Sequence, residues 1–327
     1  METDPRLARA MRDFGALIQA WSQVLPQPVR LTPAELLRSP RPHPGDPLVS
    51  KNGTARLLRC ADGWLALNLP RESDLALIPA LIGETCDPET GWDALIAHAR
   101  GQAVADLHAM ACLLGLAVAR PAEAAPAAPL PLPQTPLRRA ATPPLVLDLS
   151  ALWAGPLCGA LLARGGCEVV KVEFTSRPDT TALSDPALHL QLNGAKHALR
   201  LDLQRPEDRA VFHDLLQRAG LLITSARPAA LAALIGDWHP DRPWIAICGH
   251  ESDRQRIGFG DDCAIAGGLM AGEPEAPRFT GDAIADPLTG IYAALRACQA
   301  LASGQGGLMP VSLSAVAARV AAGGLVA

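Results

Sequence analysis

The second half of this 327-residue chain alternates short apolar runs with helical patterns, and that rhythm limits the available folds more than any other feature. PLVLDLS, EVVKVE, HALRLDL, LLITS and PWIAIC each read as a strand. Between them lie the helix patterns GPLCGALLARGG, which ends on paired glycines, PEDRAVFHDLLQRAG and PAALAALIG. Strands separated in this way predict an α/β fold, a Rossmann-like, largely parallel sheet with helices on both faces. Ligands of such sheets bind beyond the carboxyl ends of the strands.

Residues 121–143, rich in alternating Pro and Ala, sustain neither a helix nor a central strand and read as a linker. They separate an expected small α+β domain at 1–120 from a large domain at 144–327. In the first part, LARAMRDFGALIQAWSQVL is amphipathic, and ARLLRCADGWLALNL reads as a β-hairpin about Ala61-Asp62-Gly63. ESDLALIPALIG, WDALIAHARG and AVADLHAMACLLG follow as helices; His98 and His108 on them are read as packing residues, and Trp64 as a core anchor.

Composition removes several function classes. A net charge of −4 gives no basic field for nucleic acid. The eight cysteines, Cys60, Cys86, Cys112, Cys158, Cys167, Cys248, Cys263 and Cys298, show no C-x-x-C pair or zinc spacing, so reduced buried thiols and no metal are expected. The N-terminus lacks a signal-type apolar core, and no stretch reaches membrane-spanning length without charge or proline, so a cytoplasmic protein without a membrane partner is expected. Glu173 ends a strand where a ribose-binding acid sits in dinucleotide folds, but the preceding turn, SALWAGPLCG, lacks G-x-G-x-x-G.

The candidate reactive group is Asp286, followed by Pro287 and an apolar helix pattern. That order predicts an N-cap, with the helix dipole keeping the carboxylate ionised and burial in a cleft sharpening its reactivity. Such an anion can attack an acyl group.

Six runs in order, LDLSALWAGPLCGALLARGGCEVVKVE, LNGAKHALRLDL, PEDRAVFHDLLQRAGLLITSARPAAL, GFGDDCAIAGGLMAG, GDAIADPLTG and GQGGLMPVSLSAV, resemble the class III CoA-transferases, the CaiB/BaiF family, across 144–318. The resemblance implies that Asp286 is the nucleophile, passing through a mixed anhydride to an aspartyl-CoA thioester. It implies coenzyme A as a substrate, an acyl-CoA and a carboxylic acid as small-molecule partners, and a homodimer. It places CoA contacts on Trp153, Ala154, Gly155, Lys196 and Arg227, and the backbone N–H groups of Gly267 and Gly268 at an oxyanion.

The chain departs from the family pattern in places. Ala195 and His197 replace an asparagine and an arginine beside Lys196, and Ser225 and Ala226 replace Asn-Phe before Arg227. Gly260 stands where some members carry a helping carboxylate, leaving Asp261 and Asp262 as substitutes. The racemases of the superfamily place a histidine in the run aligned with Gly258-Phe259-Gly260, where this chain has none. ARLLRCADGWLALNL and its following helices resemble the family's small domain, which normally follows the large one, so a permuted or shortened layout is expected. A racemase or isomerase and a CoA-binding protein without turnover are the alternative readings.

Overall fold

A computed structural model describes residues 4–31, 45–87, 90–139, 142–226, 234–236 and 238–327. Helix α1 (Pro5–Trp21) starts where the Asp4 carboxylate accepts from the Arg6 N–H at 2.8 Å, with Pro5 in the first turn. Its buried stripe, Leu7, Ala10, Phe14, Leu17 and Ile18, has helical spacing.

The hairpin about Ala61-Asp62-Gly63 forms as read. Strand β1 (Ala55–Arg59) pairs antiparallel with β2 (Trp64–Asn68), and β3 (Ala117–Ala119) joins the other edge of β2. Helices α2 (Glu72–Leu75), α3 (Ile78–Ile82), α4 (Gly91–Ala99) and α5 (Val104–Leu113) lie between β2 and β3. One sheet face packs on them through Leu58, Leu65, Leu67, Leu95 and Leu107. The other, with Ala55, Leu57, Ala66 and Ala119, meets Ile265, Ala266 and Phe279 from the second half. Burial on both faces explains why β1 and β2 are more continuously apolar than a half-exposed hairpin.

The second half builds the parallel sheet. Its strands are β4 (Leu145–Asp148), β5 (Glu168–Phe174), β6 (His197–Leu201), β7 (Leu221–Thr224), β8 (Pro243–Cys248) and, beyond an antiparallel hairpin of β9 (Met270–Glu273) and β10 (Ala276–Phe279), β11 (Gly307–Ser312). The order is β11-β8-β7-β4-β5-β6 with every pairing parallel. Winding reverses between β4 and β7, the switch point at which doubly wound folds take ligands. Helices α6 (Ala154–Arg164), α7 (Thr181–Ser184), α8 (Pro186–Asn193), α9 (Pro206–Arg218), α10 (Gly260–Ala266), α11 (Ala285–Ser303) and α12 (Leu313–Ala321) complete this half. Of the expected helix PAALAALIG, only Leu234–Gly236 falls within the described residues.

Successive strand residues serve opposite faces, as the pleat requires. Val146, Leu221 and Ile223 pack with α6, α11 and α1, whereas Leu147 and Leu222 pack with Phe212, Leu215 and Leu216 of α9. Helices therefore cover both faces, in agreement with the expected fold class.

Packing does not follow the expected boundary at residue 120. The stripe of α1 lies in the apolar cluster of the large unit because it covers α11 and α12. Part of the expected linker is also tied down. Ala122 and Ala124 donate N–H groups to the Ile265 and Ala266 carbonyls, Ala127 to Ala315 and Leu130 to Leu325.

Beneath the switch point lies a buried charge network. Asp148, at the end of β4, pairs with Lys196 at 2.7 Å, both side chains being fully buried. Lys196 also donates to the Pro156 carbonyl and to Asn193 Oδ1, each at 2.8 Å. Burial acts to raise the Asp148 carboxyl, but Lys196, Lys171 and the Ser150 hydroxyl hold it below the usual carboxylate range. Lys171 of β5 donates to the Ser150 carbonyl and pairs with Asp179 at 3.5 Å, and Asp179 accepts the N–H groups of Leu152 and Thr181. The turn from Ser150 to Trp153 is thus held by two buried carboxylates. Replacing Lys196 with Met leaves Asp148 without its ion-pair partner and should lower the unfolding free energy by about 3–5 kcal/mol, read from urea denaturation.

Candidate active site

Helices α6, α10 and α11 begin around one carboxylate. Asp286 sits in the first turn of α11, against the opening residues of α6 and α10, Ala154 and Gly260, whose backbone N–H groups favour its charged form. A Cβ at position 260 would fall on Asp286 Oδ2, so only glycine lets the two meet. Helix N-termini with free N–H groups are ready-made anion sites.

The expected cap does not form. Helix α11 starts two residues earlier than the Asp-Pro signal suggests, Ile284 is its N-cap, and no side chain caps it. The carboxylate is thereby free to serve the neighbouring helices. Left-handed non-glycine residues, Leu152 (φ 69°) and Ala283 (φ 44°), stand just before α6 and α11. Asp179 holds the N–H of Leu152, and Asp261 Oδ1 holds that of Ala283 at 2.9 Å.

Three acids share this small volume, and their proximity governs its electrostatics. Asp286 keeps partial exposure, yet burial of its carboxyl group, followed by the nearby Asp261 and Asp262, pushes it up to about 8. Burial, with Asp282 and Asp262 adding, raises Asp261 to about 7. Asp262 is pushed up to about 6 by burial, although Asn68 and the Phe259 N–H favour its charged form. The helix termini do favour an anion at Asp286, as the sequence suggested, but burial and like charge outweigh them. At neutral pH the group holds protons that isolated aspartates would have lost.

The other expected site residues are placed as follows. Ala154 opens α6 beside Asp286, where its N–H favours the carboxylate's charged form. Trp153, 8% exposed, directs its ring into the apolar core. Gly155 makes room for the turn rather than for a ligand, since a Cβ there would strike Ser150. Lys196 spends its ammonium on Asp148, Pro156 and Asn193 inside the protein, which corrects its expected place at a phosphate. The N–H groups of Gly267 and Gly268 go to the Cys263 and Ile265 carbonyls, at the opposite end of α10 from Asp286. Gly267 allows close contact with Ala317 and Ala318, so both glycines serve helix termination and packing, not an oxyanion. Arg227 lies outside the described residues.

Sequence reasoning missed Asn68, whose Nδ2 donates to Asp262 Oδ1 at 3.0 Å from 194 residues away. Among the described residues, His250–Asp262–Cys263 and Glu173–Asp179–His189 bring ligating atoms within 4.8 Å of one another. In each, one carboxylate is already engaged: Asp262 by Asn68 and Phe259, Asp179 by Lys171, Leu152 and Thr181. A cavity of about 380 Å3 beside Phe212, His213, Trp238 and His239 lies on the α9 side of the sheet, opposite α6 and α11.

The acid cluster thus lies at helix N-termini beside the switch point of a doubly wound parallel sheet. The model of CoA-transferase family III matches residues 144–327, more than half the chain, and the protein belongs to that family. The succinyl-CoA–D-citramalate CoA-transferase of Chloroflexus aurantiacus is 31% identical over 193 residues, 51% of this chain and 48% of the relative. The succinate–glutarate CoA-transferase of Agrobacterium fabrum is 30% identical over 213 residues, 55% and 53% of the two chains. This chain thus spans about half the length of the relatives it matches. Among solved structures, a CAIB/BAIF family protein from Brucella suis aligns over 53% of each chain at 24% identity, with a TM-score of 0.48.

A raised acid implies a measurable cost. Between about pH 4 and about pH 8 the folded chain keeps a proton on Asp286 that the unfolded chain releases, so stability falls as pH rises through this window. Asp286→Asn removes that ionisation and should raise the unfolding free energy above pH 8 by about 1 kcal/mol or more, with little change at pH 4. Chemical denaturation at the two pH values checks this.

Proposed function

We propose that this protein is a CoA-transferase that moves CoA from an acyl-CoA thioester to a carboxylic acid, with Asp286 as the nucleophile. The observation that carries this reading is the buried Asp286 carboxylate, set against the starts of α6 and α10 within the segment matched to the family. An oxygen of ionised Asp286 attacks the thioester carbonyl carbon, the C–S bond breaks, and CoA leaves as thiolate, giving a mixed anhydride. The thiolate then attacks the carbonyl carbon of Asp286, the donor acid leaves as carboxylate, and an aspartyl-CoA thioester remains. An acceptor carboxylate attacks that thioester and expels the thiolate, which finally takes the acceptor acyl carbon and releases Asp286. The N–H groups of Ala154 and Gly260 are suited to stabilising charge that develops on the Asp286 oxygens. The names of the matched relatives make thioesters of small dicarboxylic acids, such as succinyl-CoA, the first donors to try.

Incubation with a panel of acyl-CoAs followed by hydroxylamine should yield a hydroxamate at Asp286, detected by intact mass and peptide mapping and lost in Asp286→Ala. Transfer persisting in that variant, or an adduct confined to another residue, overturns the reading. Because the attacking species is the anion, turnover should rise about tenfold per pH unit below about 8 and level off above it, which a pH profile measures.

A further inference from the structure

Asn68 reaches the acid cluster from outside the segment matched to the family. It closes β2 in the small sheet, is 2% exposed, and directs Nδ2 to Asp262 Oδ1 at 3.0 Å. Its Oδ1 is buried and has no hydrogen-bond partner. A buried amide with one half unused is costly unless the site has a use for it. Here the two halves suit the two protonation states of one neighbour. With Nδ2 forward, the amide donates to ionised Asp262; turned over, Oδ1 accepts from the protonated acid.

We propose that Asn68 is a positioning residue for the Asp286 chemistry: through its hydrogen bond it holds negative charge on Asp262, and that charge governs how readily Asp286 gives up its proton. The importance of this for turnover rests on Asp286 being the nucleophile, but the coupling itself does not.

The surroundings favour control at this point. From α10 itself, Asp262 has Asp261 and Cys263 beside it, and α11 brings Asp286. The segment before α10 adds His250, held neutral near 4 by burial and by Arg256, whose guanidinium is paired with Glu123 at 2.8 Å. Asp282, beside Asp261, is paired with Lys51 at 3.0 Å. Among the described residues, no lysine or arginine is hydrogen-bonded or paired to Asp262, Asp261 or Asp286. Asn68, the strongest of the groups that favour the charged form of Asp262, is joined by the N–H groups of Phe259 and Asp262 and by the Cys263 thiol, which donates to Oδ2 at 3.7 Å. Charge on Asp262 opposes charge on Asp286 and makes Asp286 more basic, hence a stronger nucleophile once ionised.

The test reads the acids directly, without any CoA ester. Carboxyl carbon NMR of the full chain labelled with γ-13C aspartate, assigned with Asp286→Asn, Asp261→Asn and Asp262→Asn, gives each titration midpoint. In Asn68→Leu, which keeps the volume and removes the donor, the Asp262 midpoint should move up and the Asp286 midpoint down, each by about half a unit to one unit. Loosened packing alone would admit water and move all three acids down together, and that result, or unmoved midpoints, overturns the proposal. Should Asn68→Leu fail to fold, Asp262→Asn carries the test: the Asp286 midpoint falls if the charge on Asp262 controls it, and an unchanged midpoint overturns the proposal. Absence of acyl transfer alongside opposed NMR shifts would refute the assigned function and leave the coupling standing.

Discussion

The buried Asp148–Lys196 pair is the constraint on which the site depends. Two full charges removed from water are tolerable only with close geometry and their remaining hydrogen bonds satisfied. Pro156, Asn193 and Ser150 supply those bonds, and all lie in or beside the segments that must be fixed. The order of cause runs from this pair to the turn after β4, from the turn to the first N–H of α6, and from there to the Asp286 carboxylate. An apolar pair of equal volume could fill the same space, but it would not dictate where the Ser150 and Pro156 backbones lie.

Around that fixed point the protein concentrates features that oppose folding. Non-glycine residues occupy the left-handed region, acids crowd one another, and an asparagine oxygen is buried without a partner. Each costs stability, and none is needed to close the sheet or fill its core. Their coincidence around the Asp261, Asp262 and Asp286 cluster and the helix starts beside it supports a chemical rather than an architectural reason for them.

Much of the fold was legible in the sequence because parallel strands buried on both faces announce themselves as apolar runs between helices. Strand β11 was not, since GLMPVS carries Pro310; the structure places it at the sheet edge, where a proline is tolerated. Asp286 was legible as an important position but misread as a cap, because Asp-Pro marks a helix start equally well one residue inside it. Lys196 was expected at CoA from its place in Asn-Gly-Ala-Lys, and its partner in the structure, Asp148, lies 48 residues earlier. A signal was available: Asp148 is a charge at the end of the apolar run PLVLDL, and a charge so placed needs a counter-ion. Nothing in the hairpin pattern marks Asn68, because its role exists only after the small sheet has docked on α10.

The way the first half is stitched to the second bears on any attempt to shorten this protein. Phe14 and Leu17 of α1 complete the core over α11, the strap from Ala122 to Leu130 saturates carbonyls of α10 and α12, and the small sheet shields Ile265 and Phe279. Residues 144–327 expressed alone would surrender all three coverings at once, leaving greasy flanks and thirsty carbonyls in water. The stretch that carries the family likeness therefore relies on residues before 144 for part of its packing and for partners of its carbonyls.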